Sequence, residues 1–148
     1  MKEALNINWE TYKKDAQMLF EKLDRPVKGK IARFNKIACI TRGGLMLTDY
    51  LARKLSIRYI ETVCIYSYTD KNQKTSLKVV PESKPIDERK GWLIVDDLID
   101  SGETLKEVKK LYPNAKVAVL YKKPYSPEGV ADYVSRDVED VWIKFPWE

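Results

Sequence analysis

The sequence contains no histidine. That excludes Ser-His-Asp and Cys-His catalysis, imidazole proton shuttling and every histidine-containing zinc site. Cysteine is scarce. Cys39 and Cys64 each lie inside a β-branched apolar run and read as buried free thiols, a usage that fits a reducing cytoplasm. Two thiols cannot complete a four-ligand zinc site alone. Long apolar runs are missing too: Trp92–Val95 and Val117–Tyr121 fall far short of the ~20 residues a spanning helix needs. The opening stretch MKEALNINWE has no apolar signal core, which points away from secretion. Repeats and low-complexity segments are absent. Chemistry must therefore run on carboxylates, lysines, backbone amides or a metal held by oxygen.

What is present suits one domain spanning 1–148. The chain has 148 residues, 44% hydrophobic and 33% charged, enough for a packed core. With 27 basic and 22 acidic residues, the net charge of +5 is a mild excess that favours anionic partners such as phosphates. Dense basic stripes are lacking, so nucleic acid is not expected as a partner.

Periodicity predicts a helix over Trp9–Leu23, with Tyr12, Ala16, Leu19, Phe20 and Leu23 on one face. A short strand follows at Ile37–Thr41, then a helix from about Leu45 to Leu55, then a long strand over Ile57–Tyr66. Ser67–Ser76 is polar without a period and reads as a mobile loop before a strand at Leu77–Val80. Pro81–Lys90 is a connector. Beyond it come a buried strand at Trp92–Val95, a helix at Thr104–Leu111, a buried strand at Lys116–Tyr121, and a remainder of short strands and loops. The alternation implies an α/β fold, a mainly parallel sheet covered by helices. In such sheets ligands sit beyond the carboxyl ends of the strands. Three segments fall there: TRGG after the first strand, DDLIDSGET after the central one, and KKP after the last.

The middle segment carries the chemistry. Four apolar residues run into Asp96 and Asp97, a pair that repels unless a cation is near. Asp100 follows, then Ser101, Gly102, Glu103 and Thr104 open a helix whose amides can hold an anion. Carboxylates for hydroxyls or Mg2+ thus adjoin a phosphate cradle. The plain structural alternative is that Asp97 or Asp100 merely caps the helix, with Ser101 or Thr104 as substitutes.

IVDDLIDSGET resembles the ribose-phosphate signature of the type I phosphoribosyltransferases. ITRGGLMLTDYLARKLSIRYIETVCIYSYTDKNQ, YKKP and DVWIKFPW are similar, in the same order, to the xanthine-guanine branch of that family, from about Trp9 to Glu148. The resemblance implies purine salvage: guanine, xanthine or hypoxanthine plus phosphoribosyl pyrophosphate, with Mg2+, giving the nucleoside monophosphate and pyrophosphate. It implies that Asp96 and Asp97 meet the ribose hydroxyls, with Asp97 near Mg2+. Asp100 would face the purine N7 as proton acceptor or donor. Ser101, Gly102, Glu103 and Thr104 would bind the 5′-phosphate. Arg42 and Gly43 would hold pyrophosphate, in a loop where the family often has a cis peptide before the arginine.

A flexible hood over about 67–78, carrying Lys74, would close on the substrate. The base-recognition segment, about 122–148, would use Lys123 for the exocyclic oxygen, Trp142 for stacking and the Ile143 backbone for the group at C2. A lysine donor selects 6-oxopurines over adenine. The resemblance further implies a homotetramer or homodimer, located in the cytoplasm, and allows peripheral attachment to the inner face of the membrane. The chain departs from relatives at Glu103 (often glycine), at Lys74 (arginine in close relatives), at Lys144-Phe145, and in stopping at Glu148. Two rivals remain: a regulator of the same fold that senses the sugar donor and binds nucleic acid, and a phosphoacceptor receiver domain.

Overall fold

The structure, a computed structural model, describes residues 3–30, 33–69, 75–80 and 91–148. Its elements are β1 (Leu5–Asn6), α1 (Trp9–Leu23), β2 (Lys36–Thr41), α2 (Leu45–Lys54), β3 (Tyr59–Thr69), β4 (Thr75–Val80), β5 (Trp92–Ile99), α3 (Glu103–Leu111), β6 (Lys116–Lys122), β7 (Tyr133–Asp137) and β8 (Ile143–Lys144). Six strands form one sheet in the order β4-β3-β2-β5-β6-β7. All neighbours are parallel except β3 and β4. β1 and β8 make a separate parallel pair that ties the amino-terminal segment to the carboxyl-terminal one.

Helices on both faces explain why the central strands read as unbroken apolar runs. Ile37, Cys39, Leu93 and Val95 pack with Ala16, Leu19 and Leu23 of α1 and with Leu47 and Leu51 of α2. Their neighbours Ala38, Ile40, Ile94 and Val119 point the other way, onto Leu105 and Val108 of α3. α1 begins where the periodicity places it, because the Asn8 side chain accepts from the Thr11 N–H at 2.8 Å.

Three expectations need correction. β3 starts at Tyr59, not Ile57, because Ser56 adopts a left-handed conformation (φ 57°) and the Ile57 N–H closes back onto Ala52 at 2.8 Å, capping α2. Ser67–Thr69 and Thr75–Ser76, read as loop, pair as strand: Ser67 is opposite Leu77 and Thr69 opposite Thr75. Their polarity hid this, since an edge hairpin is held by backbone bonds and needs little apolar burial. The tip at 70–74 and the connector at 81–90 lie outside the described residues. Cys64 is exposed, not buried. It shares a face of β3 with exposed Ile60, at the flank of the sheet where the helices covering Cys39 no longer reach. Cys39 is buried, and both thiols are free.

Candidate active site

The ladder between β5 and β2 ends at Val95, which pairs with Cys39, whereas β5 stays paired with β6 through Ile99. Asp96 and Asp97 therefore lie within β5, not after it, on the stretch where its β2-facing edge is open. The turn from β2 into α2 lies against that stretch without continuing the ladder. Its Thr41–Arg42 peptide is cis. A Cβ on Gly43 would sit 2.6 Å from both carboxylate oxygens of Asp97, so glycine is what allows the turn to press against the acid. Arg42 is exposed and carries no ion pair among the described residues.

Asp96 is buried at 8% exposure, and its Oδ1 accepts the Asp97 N–H at 2.8 Å. Burial first, and the charge of Asp97 second, push its carboxyl well above the usual carboxylate range. Asp97 is pushed up as well, chiefly by burial. The adjoining turn has the opposite character. Gly102, at φ 87°, is the N-cap of α3 and provides no side-chain bond. The capping alternative fails: neither Asp97 nor Asp100 caps the helix, and among the described residues only the Ser101 Oγ comes near, accepting the Glu103 N–H at 3.4 Å. The helix thus presents amides of its first turn to solvent, the arrangement that attracts an anion. A cavity of about 80 Å³, room for a phosphate-sized group, is lined here by Asp96, Asp100, Ser101, Gly102 and Thr104 among others. Glu103 is not part of that lining and borders a neighbouring hollow of about 440 Å³ with Pro127 and Val130.

The third segment folds against the same strand end. The Lys123 N–H donates to the Ile99 carbonyl at 3.0 Å. Its side chain is buried, and Nζ donates to the Val141 carbonyl with Asp140 Oδ1 at 4.0 Å. Lys122 instead points to Glu128 at 3.5 Å, which separates the two lysines by role. Trp142 is 72% exposed, so it is not core packing. The Leu5 and Ile7 N–H groups donate to the Trp142 and Lys144 carbonyls, both at 2.8 Å. In a parallel ladder this alternation leaves the backbone groups of Ile143 facing away from β1, while its side chain is buried. Lys74 falls outside the described residues.

One contact escaped the sequence. The Tyr125 hydroxyl donates to Asp100 Oδ1, and the Ser126 Oγ lies 2.6 Å from the Asp100 carbonyl oxygen. The only hint was position, directly behind Lys123 and Pro124. Among the described residues, no group of three or more His, Cys, Asp or Glu could enclose a metal by itself.

Residues 8–148 match the family described as the phosphoribosyl transferase domain. Among solved structures, the chain is similar to a purine phosphoribosyltransferase from Pyrococcus horikoshii, at 26% identity and TM-score 0.82, covering 98% of this chain and 94% of that one. A hypothetical protein from Neisseria gonorrhoeae with bound ppGpp aligns at 28% identity and TM-score 0.78, covering 100% and 90%. A xanthine-guanine-hypoxanthine phosphoribosyltransferase from Helicobacter pylori shares the fold at 24% identity and TM-score 0.76, covering 99% and 93%.

Proposed function

Since the chain belongs to the phosphoribosyltransferase family, we propose that it transfers phosphoribose from phosphoribosyl pyrophosphate to a 6-oxopurine, releasing pyrophosphate. The observation that carries this reading is the open edge of β5, where buried Asp96 and half-buried Asp97 adjoin an uncapped helix start and the Arg42–Gly43 turn. A polyol beside a phosphate satisfies both halves. The purine phosphoribosyltransferase of P. horikoshii and the ppGpp, a guanine nucleotide, bound by the Neisseria protein support a purine as the acceptor.

In this scheme Asp96 and Asp97 accept from the ribose hydroxyls. Ser101, Gly102, Glu103 and Thr104 hold the 5′-phosphate, Glu103 through its backbone with its side chain turned out. Arg42 and the Gly43 backbone hold pyrophosphate, joined by Lys74 from the hood. Lys123 donates to the oxygen at C6, Trp142 stacks on the ring, and the Ile143 backbone meets the group at C2. N9 of the purine forms its bond to C1′ of the ribose. The C1′–O bond to pyrophosphate breaks with its electron pair, and the proton on N7 passes to Asp100. The sugar passes through an oxocarbenium-like state, so positioning and exclusion of water matter more than a strong nucleophile. That suits a chain without histidine.

The residues fit magnesium. Asp97 supplies hard oxygen donors, and an acid held above its usual range by burial gains from a nearby cation. A site with few protein ligands suits Mg2+ shared with substrate phosphates. When bound, the ion would neutralise charge on the departing pyrophosphate. The cytoplasm is the proposed location and a dimer or tetramer the proposed assembly; no helix among the described residues is long and apolar enough to cross a membrane.

The test is an assay of guanine, xanthine, hypoxanthine and adenine with the sugar donor and Mg2+. Turnover of one or more of the first three, and none of adenine, is expected. A regulator of the same fold would bind the donor and turn over none of them.

A further inference from the structure

Asp100 stands exposed at the end of β5. A carboxylate in that position ordinarily samples several rotamers. Here it is held. The segment Lys123–Ser126 is pinned to the strand end on both sides of Tyr125. The Lys123 N–H donates to the Ile99 carbonyl at 3.0 Å, and the buried Ser126 hydroxyl lies 2.6 Å from the Asp100 carbonyl oxygen and 3.0 Å from that of Ile99. The Ser126 N–H closes the turn onto the Lys123 carbonyl at 3.1 Å. Tyr125 lies between these anchors, and its hydroxyl donates to Asp100 Oδ1. The other carboxylate oxygen has no partner among the described residues.

Resting on the purine reading above, we propose that Tyr125 is a positioning residue: its phenol fixes one oxygen of Asp100 so that the other is aimed at the ring nitrogen of the incoming base. The aromatic ring itself is half-exposed and contributes no core packing. Two effects oppose each other. A donor makes a carboxylate a weaker base, and the phenol is a donor to a charged group. A misplaced catalytic group can cost ~100-fold. On this proposal positioning outweighs the loss of basicity, and the sign of the change in kcat on removing the hydroxyl decides between the two. The device also links the two halves of base recognition, because the turn that carries Tyr125 also carries Lys123.

The phenol remains a donor through the physiological range. Its pKa is pushed up to about 12, first by the hydrogen bond to Asp100, with the charges of Asp100 and Asp140 also raising it.

The experiment is a cycle of Tyr125→Phe, Asp100→Asn and the double variant. Tyr125→Phe is expected to lower kcat about tenfold. The KM for the sugar donor and the thermal midpoint should stay unchanged, because the phosphate cradle is built from other residues and the ring is exposed. In the Asp100→Asn background the same substitution should have no further effect. An equal fold-loss in both backgrounds, or an unchanged kcat in Tyr125→Phe, overturns the inference while leaving the purine reading intact. An inactive wild type removes both. A second readout needs no turnover. In protein carrying ring-labelled tyrosine, the Tyr125 NMR signal, assigned by its loss in Tyr125→Phe, should stay protonated at pH 10.5 in the wild type and begin to titrate there in Asp100→Asn. If Asp100→Asn leaves that titration where it was, the contact is absent and the proposal fails.

Discussion

Asp15 on α1 and Asp96 on β5 are both buried acids, at 5% and 8% exposure, yet their surroundings are opposite. Asp15 Oδ2 accepts from the Tyr121 hydroxyl and from Arg136 Nε at 3.0 Å, and its backbone carbonyl accepts from the Ser135 hydroxyl at 2.6 Å. The Arg136 guanidinium also lies 5.1 Å from the Tyr121 ring centroid. That acid is fully answered, and the answer stitches α1 to β6 and β7. Asp96 accepts one backbone bond, and its nearest charged neighbour is another acid. The first site is closed and serves the fold. The second sets a buried acid beside another acid, so that ionising the pair is costly, a cost that a bound cation and sugar would offset.

The largest effect is expected at the closed site. Asp15→Ala strips Arg136 and the buried Tyr121 hydroxyl of their acceptor and should cost about 3 kcal/mol of stability in urea unfolding. Turnover per folded molecule should not change. A loss of activity without a loss of stability would erase the distinction between the two acids.

The open site should respond with the opposite sign. Asp97→Asn relieves the repulsion and should raise stability of the ligand-free protein by about 1 kcal/mol, while turnover falls ~100-fold. Paired unfolding and rate measurements check this. Falling stability would make Asp97 a structural acid like Asp15.

This contrast also marks how far the sequence could be read. β2, β5 and β6 were legible because strands buried on both faces leave continuous apolar runs. The Asp96–Thr104 segment stood out as a candidate because acids and a glycine between a strand and a helix have few structural uses, and the structure places it across the end of β5 and the start of α3. Asp15 was not, since it sits beside the apolar stripe of α1 and its partners come from β6 and β7. Nor was Tyr125, whose partner Asp100 lies on another element. β1 and β8, two residues each, are too short for any period to show. The start of β3 was missed because Ser56 takes a conformation usually given to glycine and folds Ile57 back onto α2.

The smallest expected effect is a pH dependence. Asp96 and Asp97 titrate as a pair, and both are raised in the folded chain, mainly by burial. Below an unfolded carboxylate pKa of about 4 both states are protonated. Above it the unfolded chain releases protons that the folded pair still holds. Folding stability from this pair is therefore fully present below that pH and is lost as pH rises through the raised folded values. Asp96→Asn can keep the bond to the Asp97 N–H through its own Oδ1, yet removes the charge. The thermal midpoint of Asp96→Asn relative to wild type, without ligand or Mg2+, should climb as pH rises from 4 to 8, by ~3 °C. Adding the sugar donor with Mg2+ should shrink the gap, because the bound charges then favour the ionised pair. Parallel midpoint curves across that range would mean that the acids on β5 are as well satisfied as Asp15, and the open edge would lose its claim to be a binding site.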